Sequence, residues 1–102
     1  MRYLLDTNII AEPTKPQPNP TVANRIAQHY SIDINMPILP YTTEAARWFA
    51  TERSRLVSRG LTPSYPDGQI AAIAATNNLI LVTRNTSDFI YFDGLELENW
   101  FE

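Results

Sequence analysis

The chain contains no cysteine and only one histidine, His29, among its 102 residues. Disulfides and thiolate zinc sites are therefore excluded, and a histidine metal cluster cannot form. With only three glycines, the sequence also has no glycine-rich phosphate loop, which argues against an unrelated nucleotide-binding α/β domain. Oxygen atoms are the ligands that remain for a metal.

Long apolar runs and an excess of positive charge are also missing. No apolar segment approaches the length that spans a membrane, and the apolar start is interrupted at Asp6, too early for a secretory signal. We therefore expect a cytoplasmic protein without membrane contact. The net charge of −3 argues against broad electrostatic coating of nucleic acid. Four of the eight basic residues fall in one segment, which is either a solvated helix face or a contact for RNA or a partner: Arg47, Arg53, Arg55 and Arg59.

The length fits a single domain, residues 1–102, in which strands and helices alternate. A short strand at residues 3–5 delivers Asp6, and a proline-rich connector follows at residues 13–20. Asn19 as cap and Pro20 as first helical residue predict a helix to about Tyr30. Its predicted inward positions are Val22, Ala23, Ile26, Ala27 and Tyr30.

The second half of the chain continues the alternation. Residues 31–40 alternate like a short or edge strand, and Thr42 or Thr43 caps a long helix to about Arg59. A third helix is predicted from about Asp67 to Asn77, followed by an apolar run at 79–82. Because successive residues of that run are apolar, it predicts a central strand covered on both faces. A short strand at 95–97 completes a doubly wound α/β pattern, and the closing Trp100-Phe101 is expected to seal the edge of the sheet.

Three aspartates lie where apolar elements begin or end: Asp6, Asp67 and Asp88. In open parallel sheets ligands bind beyond the carboxyl ends of the strands, so these carboxylates could converge there. Carboxylate oxygens are what Mg²⁺ or Mn²⁺ selects, and such an ion can polarise a phosphoryl oxygen and supply a hydroxide. Hydrolysis of a phosphodiester is therefore the leading hypothesis.

Each aspartate taken singly also has a simpler structural interpretation. Asp67 can stabilise a helix terminus, Asp88 can cap a turn, and Asp6 can cap the first helix. Asp6 is the strongest metal candidate, because an acid directly after a buried strand is costly unless it is paired or bound. Thr83 and Asn85 could hold Asp88 or a bound water, and both are equally good turn formers.

Three segments resemble, in order, the first, third and fourth motifs of the PIN-domain ribonucleases, and most of all the VapC toxins of bacterial toxin–antitoxin pairs. They are residues 4–10 (LLDTNII), 67–74 (DGQIAAIA) and 81–89 (LVTRNTSDF). The resemblance implies a PIN-like three-layer α/β/α sandwich with a central, mostly parallel sheet. It also implies a Mg²⁺ or Mn²⁺ site and cleavage of RNA, often transfer RNA, restrained by a cognate antitoxin. Carried over by position, the catalytic metal ligands would be Asp6, Asp67 and Asp88, supported by Thr7, Asn8 and Asn85.

The chain departs from the family between His29 and Ile38. There the family has a second strand, a helix that bears an essential glutamate, and further helices. We therefore predict an internal deletion that removes one strand and the adjacent helices. The nearby acids that could replace the glutamate are Glu12, Asp33 and Glu44, and each is more simply a surface residue or a helix-end charge.

The deletion bears on activity and on partners. With one ligand fewer, metal affinity and activity should fall. The antitoxin groove and dimer surface should be weakened, and a sheet lacking a strand invites a homodimer or a strand-swapped oligomer. Two functions stay open. One is a metal-dependent endoribonuclease toxin of reduced activity, and the other is a catalytically inactive remnant that acts as a binding module such as an antitoxin decoy.

Overall fold

A parallel three-stranded sheet forms the centre of the fold. The computed structural model describes residues 3–29 and 39–101, and the strand order within them is β1-β2-β3 with both pairs parallel. The elements are β1 (Tyr3–Leu5), α1 (Thr7–Ala11), α2 (Pro20–His29), α3 (Thr43–Val57), α4 (Tyr65–Thr76), β2 (Ile80–Val82) and β3 (Glu96–Glu98). Two 3₁₀ turns, Glu12–Thr14 and Thr86–Asp88, follow α1 and β2. Within the described ranges no helix has the length and apolar character needed to cross a membrane.

The central strand is β2, as its continuous apolar run predicts. All of its residues are buried, and it pairs with β1 on one side and β3 on the other. The register places Val82 opposite both Leu5 and Glu98, so the three strands end together at one edge of the sheet.

Two apolar clusters lie on opposite faces of this sheet. Leu81 packs with side chains from α3 and α4, whereas the next residue, Val82, packs with side chains from α1 and α2. This follows from the strand geometry, because successive side chains point to opposite faces. One cluster contains Leu56, Ala71, Ala74, Leu79, Leu81, Phe89 and Phe92, and the other contains Ile9, Val22, Val82 and Trp100. The predicted α/β/α layering is confirmed.

The start of α2 follows its sequence signals. Oδ1 of Asn19 accepts hydrogen bonds from the N–H groups of Thr21 at 2.9 Å and Val22 at 3.3 Å, which satisfies the free donors of the first turn. Val22 is fully buried and Ile26 is partly buried. The prediction that Ala27 also faces inward is wrong, since Ala27 is exposed. Ala27 directly follows Ile26 in the helix, so its side chain lies outside the stripe through Val22 and Ile26. The narrow sheet covers only that stripe.

The starts of α3 and α4 are both capped by hydroxyl groups. Oγ1 of Thr42 accepts the N–H of Ala45 at 3.1 Å, which selects Thr42 over Thr43 as the cap. Oγ of Ser64 accepts the N–H of Asp67 at 3.2 Å, so α4 begins before Asp67 rather than at it. Asp67 therefore lies in the first turn of the helix.

The end of the chain covers one face of the sheet. Trp100 is fully buried in the cluster on the α1 and α2 side, and its ring meets that of Tyr3 edge-on at 5.2 Å. The prediction that the terminal aromatic residues close the edge of the sheet is therefore corrected for Trp100, which packs on the face. The strand predicted within residues 31–40 falls almost wholly on residues 30–38, outside the described ranges.

Candidate active site at the carboxyl edge of the sheet

Asp6 directly follows β1 and joins it to α1. Its N–H donates to the carbonyl of Val82 at 2.9 Å, so the pairing with β2 continues to this residue. Its Oδ1 accepts the N–H of Thr7 at 2.7 Å and caps α1. The structural role considered for Asp6, capping of the first helix, is thus realised, while one carboxylate oxygen is left for other contacts.

Polar side chains from two turns hold that second oxygen. Oγ1 of Thr83 donates to Oδ2 of Asp6 at 2.9 Å, and Nδ2 of Asn8 donates to the same oxygen at 3.3 Å. Thr83 is fully buried, and its hydroxyl also accepts the N–H of Asn85 at 3.1 Å. Oδ1 of Asn8 in turn accepts the N–H of Arg84 at 3.3 Å. These bonds fix the Asp6 carboxylate and cross-link the turns that follow β1 and β2.

The role of Thr83 differs from the one predicted. The sequence suggested that Thr83, with Asn85, holds Asp88 or a water, whereas its hydroxyl binds Asp6. The signal was present in the sequence, because Thr83 and Asp6 are each the first polar residue after an apolar parallel strand. The carboxyl ends of neighbouring parallel strands lie side by side, so these two side chains had to meet.

The three residues predicted to support the acids contribute unequally. Asn8 contacts Asp6 through its side chain, as predicted, whereas the contact made by Thr7 is its backbone N–H. Asn85 contributes its backbone N–H to Thr83, and it makes no side-chain cap for the 3₁₀ turn that follows it. The side chains that hold Asp6 are therefore those of Asn8 and Thr83.

Asp67 and Asp88 line one cavity of about 210 Å³. Asp67 lies in the first turn of α4, and Asp88 ends the 3₁₀ turn after β2. Because α4 leads into the start of β2, its first turn lies towards the carboxyl end of that strand, the edge at which Asp6 also lies. The remaining lining residues are Leu56, Leu61, Thr62, Pro63, Ser64, Ser87, Tyr91 and Phe92.

Two of the three predicted acids, Asp67 and Asp88, line the same cavity. Asp6 does not line the cavity of Asp67 and Asp88. Among the described residues no group of three or more Asp, Glu, His or Cys is placed to hold a metal ion. Mg²⁺ keeps several waters and takes one or two carboxylates, so the Asp67–Asp88 pair fits a hard cation in its donor chemistry. A three-acid metal site therefore stays a prediction.

Two of the three acids considered as replacements for the missing glutamate lie within the described residues. Glu12 is 4% exposed, pairs with Nζ of Lys15 at 2.9 Å and accepts the N–H of Asn19 at 2.8 Å. The interpretation of Glu12 as a surface residue is therefore wrong, and these contacts from Lys15 and Asn19 lower the pKa of its carboxyl. Glu44 is exposed in the first turn of α3, as expected of a helix-end charge. Asp33 lies outside the described residues.

A buried ion pair supports one wall of the cavity. Nε and Nη2 of Arg55 donate to the carboxylate of Glu52 at 3.2 and 2.9 Å, and Nη2 also donates to the carbonyl of Tyr91 at 2.7 Å. Glu52 accepts the N–H of Asp93 at 2.7 Å as well, and the hydrogen bonds from Arg55 lower the pKa of its carboxyl. Arg55 therefore ties α3 to the loop that carries Tyr91, and it does not belong to a solvated basic face.

Comparisons with known proteins bear on the fold and on the length of the chain. No family model matches. Toxin FitB of Neisseria gonorrhoeae (strain ATCC 700825 / FA 1090) is 26% identical over 135 aligned positions, which cover 95% of this chain and 97% of FitB. The crystal structure of FitAcB from Neisseria gonorrhoeae gives a TM-score of 0.86 at 25% identity, covering 98% of this chain and 99% of that one. VapBC2 from Rickettsia felis, bound to a DNA fragment from their promoter, gives a TM-score of 0.79 at 21% identity, with 98% and 99% covered.

These likenesses confirm the predicted fold class and the shortening of the chain. The 135 aligned positions exceed the 102 residues present while reaching 97% of FitB, so FitB contains internal residues that this chain lacks. The predicted internal deletion is thus confirmed. Its predicted location, between His29 and Ile38, coincides with residues outside the described ranges.

Proposed function

Starting from the confirmed likeness to VapC-type PIN-domain toxins of toxin–antitoxin systems, we propose that this chain is a metal-dependent endoribonuclease toxin. The proposed reaction is hydrolysis of phosphodiester bonds in RNA, with transfer RNA as the first substrate to test, and the proposed location is the cytoplasm. The observation that carries the proposal is the pair of carboxylates, Asp67 and Asp88, around one cavity at the carboxyl edge of a parallel sheet.

The proposed cofactor is Mg²⁺ or Mn²⁺. Asp67 and Asp88 would hold it, with Asp6 as the third acid that the PIN resemblance implies. When bound, such an ion supplies charge stabilisation at a phosphoryl oxygen and a hydroxide at neutral pH. Because the described residues contain no three-acid group, we expect weak metal binding and low activity.

The chain's own contribution is to hold the acids in place. Thr83 and Asn8 fix one oxygen of Asp6, so its carboxylate cannot rotate freely. Asp67 is fixed by the first turn of α4, whose N-terminal partial positive charge also favours an anionic substrate nearby. Tyr91 and Phe92 add aromatic surface to the lining of the cavity. Such preorganisation is what a weak metal site needs to give any rate enhancement.

The proposed protein partner is a cognate antitoxin. FitAcB and the VapBC2 complex support this partner through their likeness to the chain. The internal residues that FitB has and this chain lacks would make the antitoxin contact smaller, so we expect weaker binding than in a full-length toxin. A homodimer or strand-swapped oligomer stays a prediction.

A second candidate is a catalytically inactive binding module, such as an antitoxin decoy. The observations that favour it are that Asp6 is not among the residues lining the cavity of Asp67 and Asp88, and that the described residues hold no group of three possible metal ligands. In that case the fold and partner surface persist while the metal chemistry is lost. The two candidates differ in a single measurable property, cleavage of RNA.

The test is incubation of the purified protein with transfer RNA and Mg²⁺ or Mn²⁺, beside Asp6→Asn and Glu96→Gln. Glu96 is exposed and lies opposite Ile80 in the strand register, at the other end of the sheet from Asp6. Glu96→Gln is therefore the matched control, because it also removes one carboxylate. Cleavage that Asp6→Asn abolishes and Glu96→Gln preserves supports the enzyme. Cleavage that is absent, or unchanged by Asp6→Asn, rejects it.

A further inference from the structure

A groove between α3 and α4 lies apart from the candidate active site. It encloses about 450 Å³ and is lined by Ala46, Phe49, Ala50, Arg53, Ser54, Val57 and Tyr65. Tyr65 is 62% exposed and Val57 is 43% exposed, so large apolar surfaces face solvent here. We call this surface the α3–α4 groove.

The charge of the groove has one sign. Arg53 is its only charged lining residue, and none of the ion pairs in the described part of the chain involves it. Nε of Arg53 is buried without a hydrogen-bond partner in the same part of the chain. The neighbouring Arg55 differs, since Glu52 neutralises it. Arg53 is therefore a partly desolvated cation without an acidic partner in the described part of the chain.

The aromatic residue of the groove is held in a fixed orientation. The guanidinium of Arg53 lies 5.5 Å from the centre of the Tyr65 ring, and the ring of Phe49 meets Tyr65 edge-on at 5.9 Å. Phe49 is itself buried, and its ring packs on Gly68, where a side chain would overlap with it. An exposed, oriented ring beside a cation is a surface on which a nucleic-acid base can stack.

Tyr65 also connects the groove to the candidate active site. It stands two residues before Asp67 in the first turn of α4, and Ser64, its neighbour in sequence, lines the cavity of Asp67 and Asp88. The groove and the cavity therefore flank the same helix start. An RNA bound in the groove would therefore lie beside the helix start that carries Asp67.

We infer that the α3–α4 groove binds single-stranded RNA, with a base stacked on Tyr65 and a phosphate paired with Arg53. The inference rests on the proposed function for RNA as the substrate. Base stacking explains the exposed ring, and a phosphate supplies the counter-charge that Arg53 lacks. An acidic protein segment would satisfy Arg53, but it gives no role to the oriented face of Tyr65.

The test measures binding in EDTA, so that it is independent of cleavage. Fluorescence anisotropy with a 5′-labelled oligouridine of roughly ten nucleotides gives Kd over a series of salt concentrations. Tyr65→Ala is expected to weaken binding at least about fivefold, and Tyr65→Phe to retain it, because stacking needs only the ring. Arg53→Ala is expected to lower the salt slope by about 0.7, the value of one phosphate contact with a single strand. Arg59→Ala, an equal change of charge in the exposed turn after α3, should leave both quantities unchanged.

Thermal melts of each variant check that loss of binding is not loss of folding, since Tyr65 packs against Phe49. Equal Kd values for RNA in the wild type, Tyr65→Ala and Arg53→Ala overturn the inference. The inference is also overturned if these two substitutions abolish binding of an acidic peptide and leave RNA binding intact. Groove-dependent binding without cleavage supports the groove and rejects the proposed enzyme. RNA cleavage together with RNA binding that the groove substitutions do not change supports the enzyme and rejects the groove.

Discussion

The hydroxyl of Thr83 donates a hydrogen bond of 2.9 Å to Oδ2 of Asp6, although the two residues are 77 positions apart. The contact exists because β1 and β2 are parallel neighbours, which places the residues that follow them side by side. A carboxylate at the end of a partly buried strand thereby gains a partner without any arginine or lysine. The candidate active site depends on this bond to hold Asp6.

Thr83→Val tests the contribution of that bond to stability. Valine keeps the shape of threonine but lacks the hydroxyl, so Asp6 and the N–H of Asn85 each lose a partner. Hydrogen bonds to charged groups contribute roughly 1.5–3 kcal/mol, and we expect the free energy of unfolding to fall by about that amount in urea titrations. Thr83→Ser keeps the hydroxyl and should lose less. Equal losses in the two variants would contradict the account.

Glu12 makes stability depend on pH at the acidic end. The hydrogen bonds from Lys15 and the N–H of Asn19 lower its pKa in the folded protein below the ordinary value of a glutamate. A group with a lowered folded pKa stabilises the fold above its unfolded pKa, and this contribution is lost as pH falls through the folded pKa. We therefore expect Glu12→Gln to be less stable than the wild type at pH 7 and the gap to narrow below about pH 4. Urea titrations at both pH values measure it, and a gap that does not depend on pH would sink the prediction.

Arg55 can be tested by a change that keeps its charge. Its guanidinium binds Glu52 through two nitrogens and also reaches the carbonyl of Tyr91, a geometry that the ammonium of lysine cannot reproduce. We expect Arg55→Lys to lower the free energy of unfolding by roughly 1–3 kcal/mol, because a buried carboxylate loses part of its hydrogen bonding. Arg59→Lys, at an exposed position, is the matched control. If both substitutions prove equally harmless in thermal melts, Arg55 has no structural role.

Gly68 is expected to accept no side chain while Phe49 is present. A Cβ at this position would overlap with the Phe49 ring, so Gly68→Ala should cost about 1–3 kcal/mol through overpacking. In the double variant with Phe49→Leu the smaller side chain leaves room, and the added cost of Gly68→Ala should shrink. Additive losses in this double-mutant cycle would show that the two positions do not interact.

The sequence predicts elements well where local chemistry decides them. Local sequence predicts the caps at Asn19 and Thr42 and the buried run of β2, since each depends on residues close in the chain. The end of α4 at Thr76 likewise lies next to the predicted end at Asn77, and Asn78, with φ of 54°, takes the left-handed conformation just beyond it. The burial of Glu52 could not be predicted, because its partner Asp93 lies 41 positions away.

The sequence predicts the residue types of the candidate site and the edge of the sheet at which it lies. It does not predict which of the acids share a cavity. Parallel strands place Asp6 and Asp67 at one edge from topology alone. Which acids share a cavity depends on the angle at which α4 and the turn of Asp88 pack, and no local pattern encodes that angle. The burial of Glu12 could not be predicted from local sequence either. It arises because the connector folds back so that the N–H of Asn19 reaches the Glu12 carboxylate.

The most direct test of the account is a titration of Mn²⁺ followed by electron paramagnetic resonance, which reports free Mn²⁺. The wild type is expected to bind about one ion per chain, and Asp67→Asn and Asp88→Asn to weaken this binding at least about tenfold. Glu96→Gln, at the other end of the sheet, should match the wild type. Equal binding by all four proteins, or no binding by the wild type, would contradict the claim that acids at the carboxyl edge of the sheet hold a hard dication.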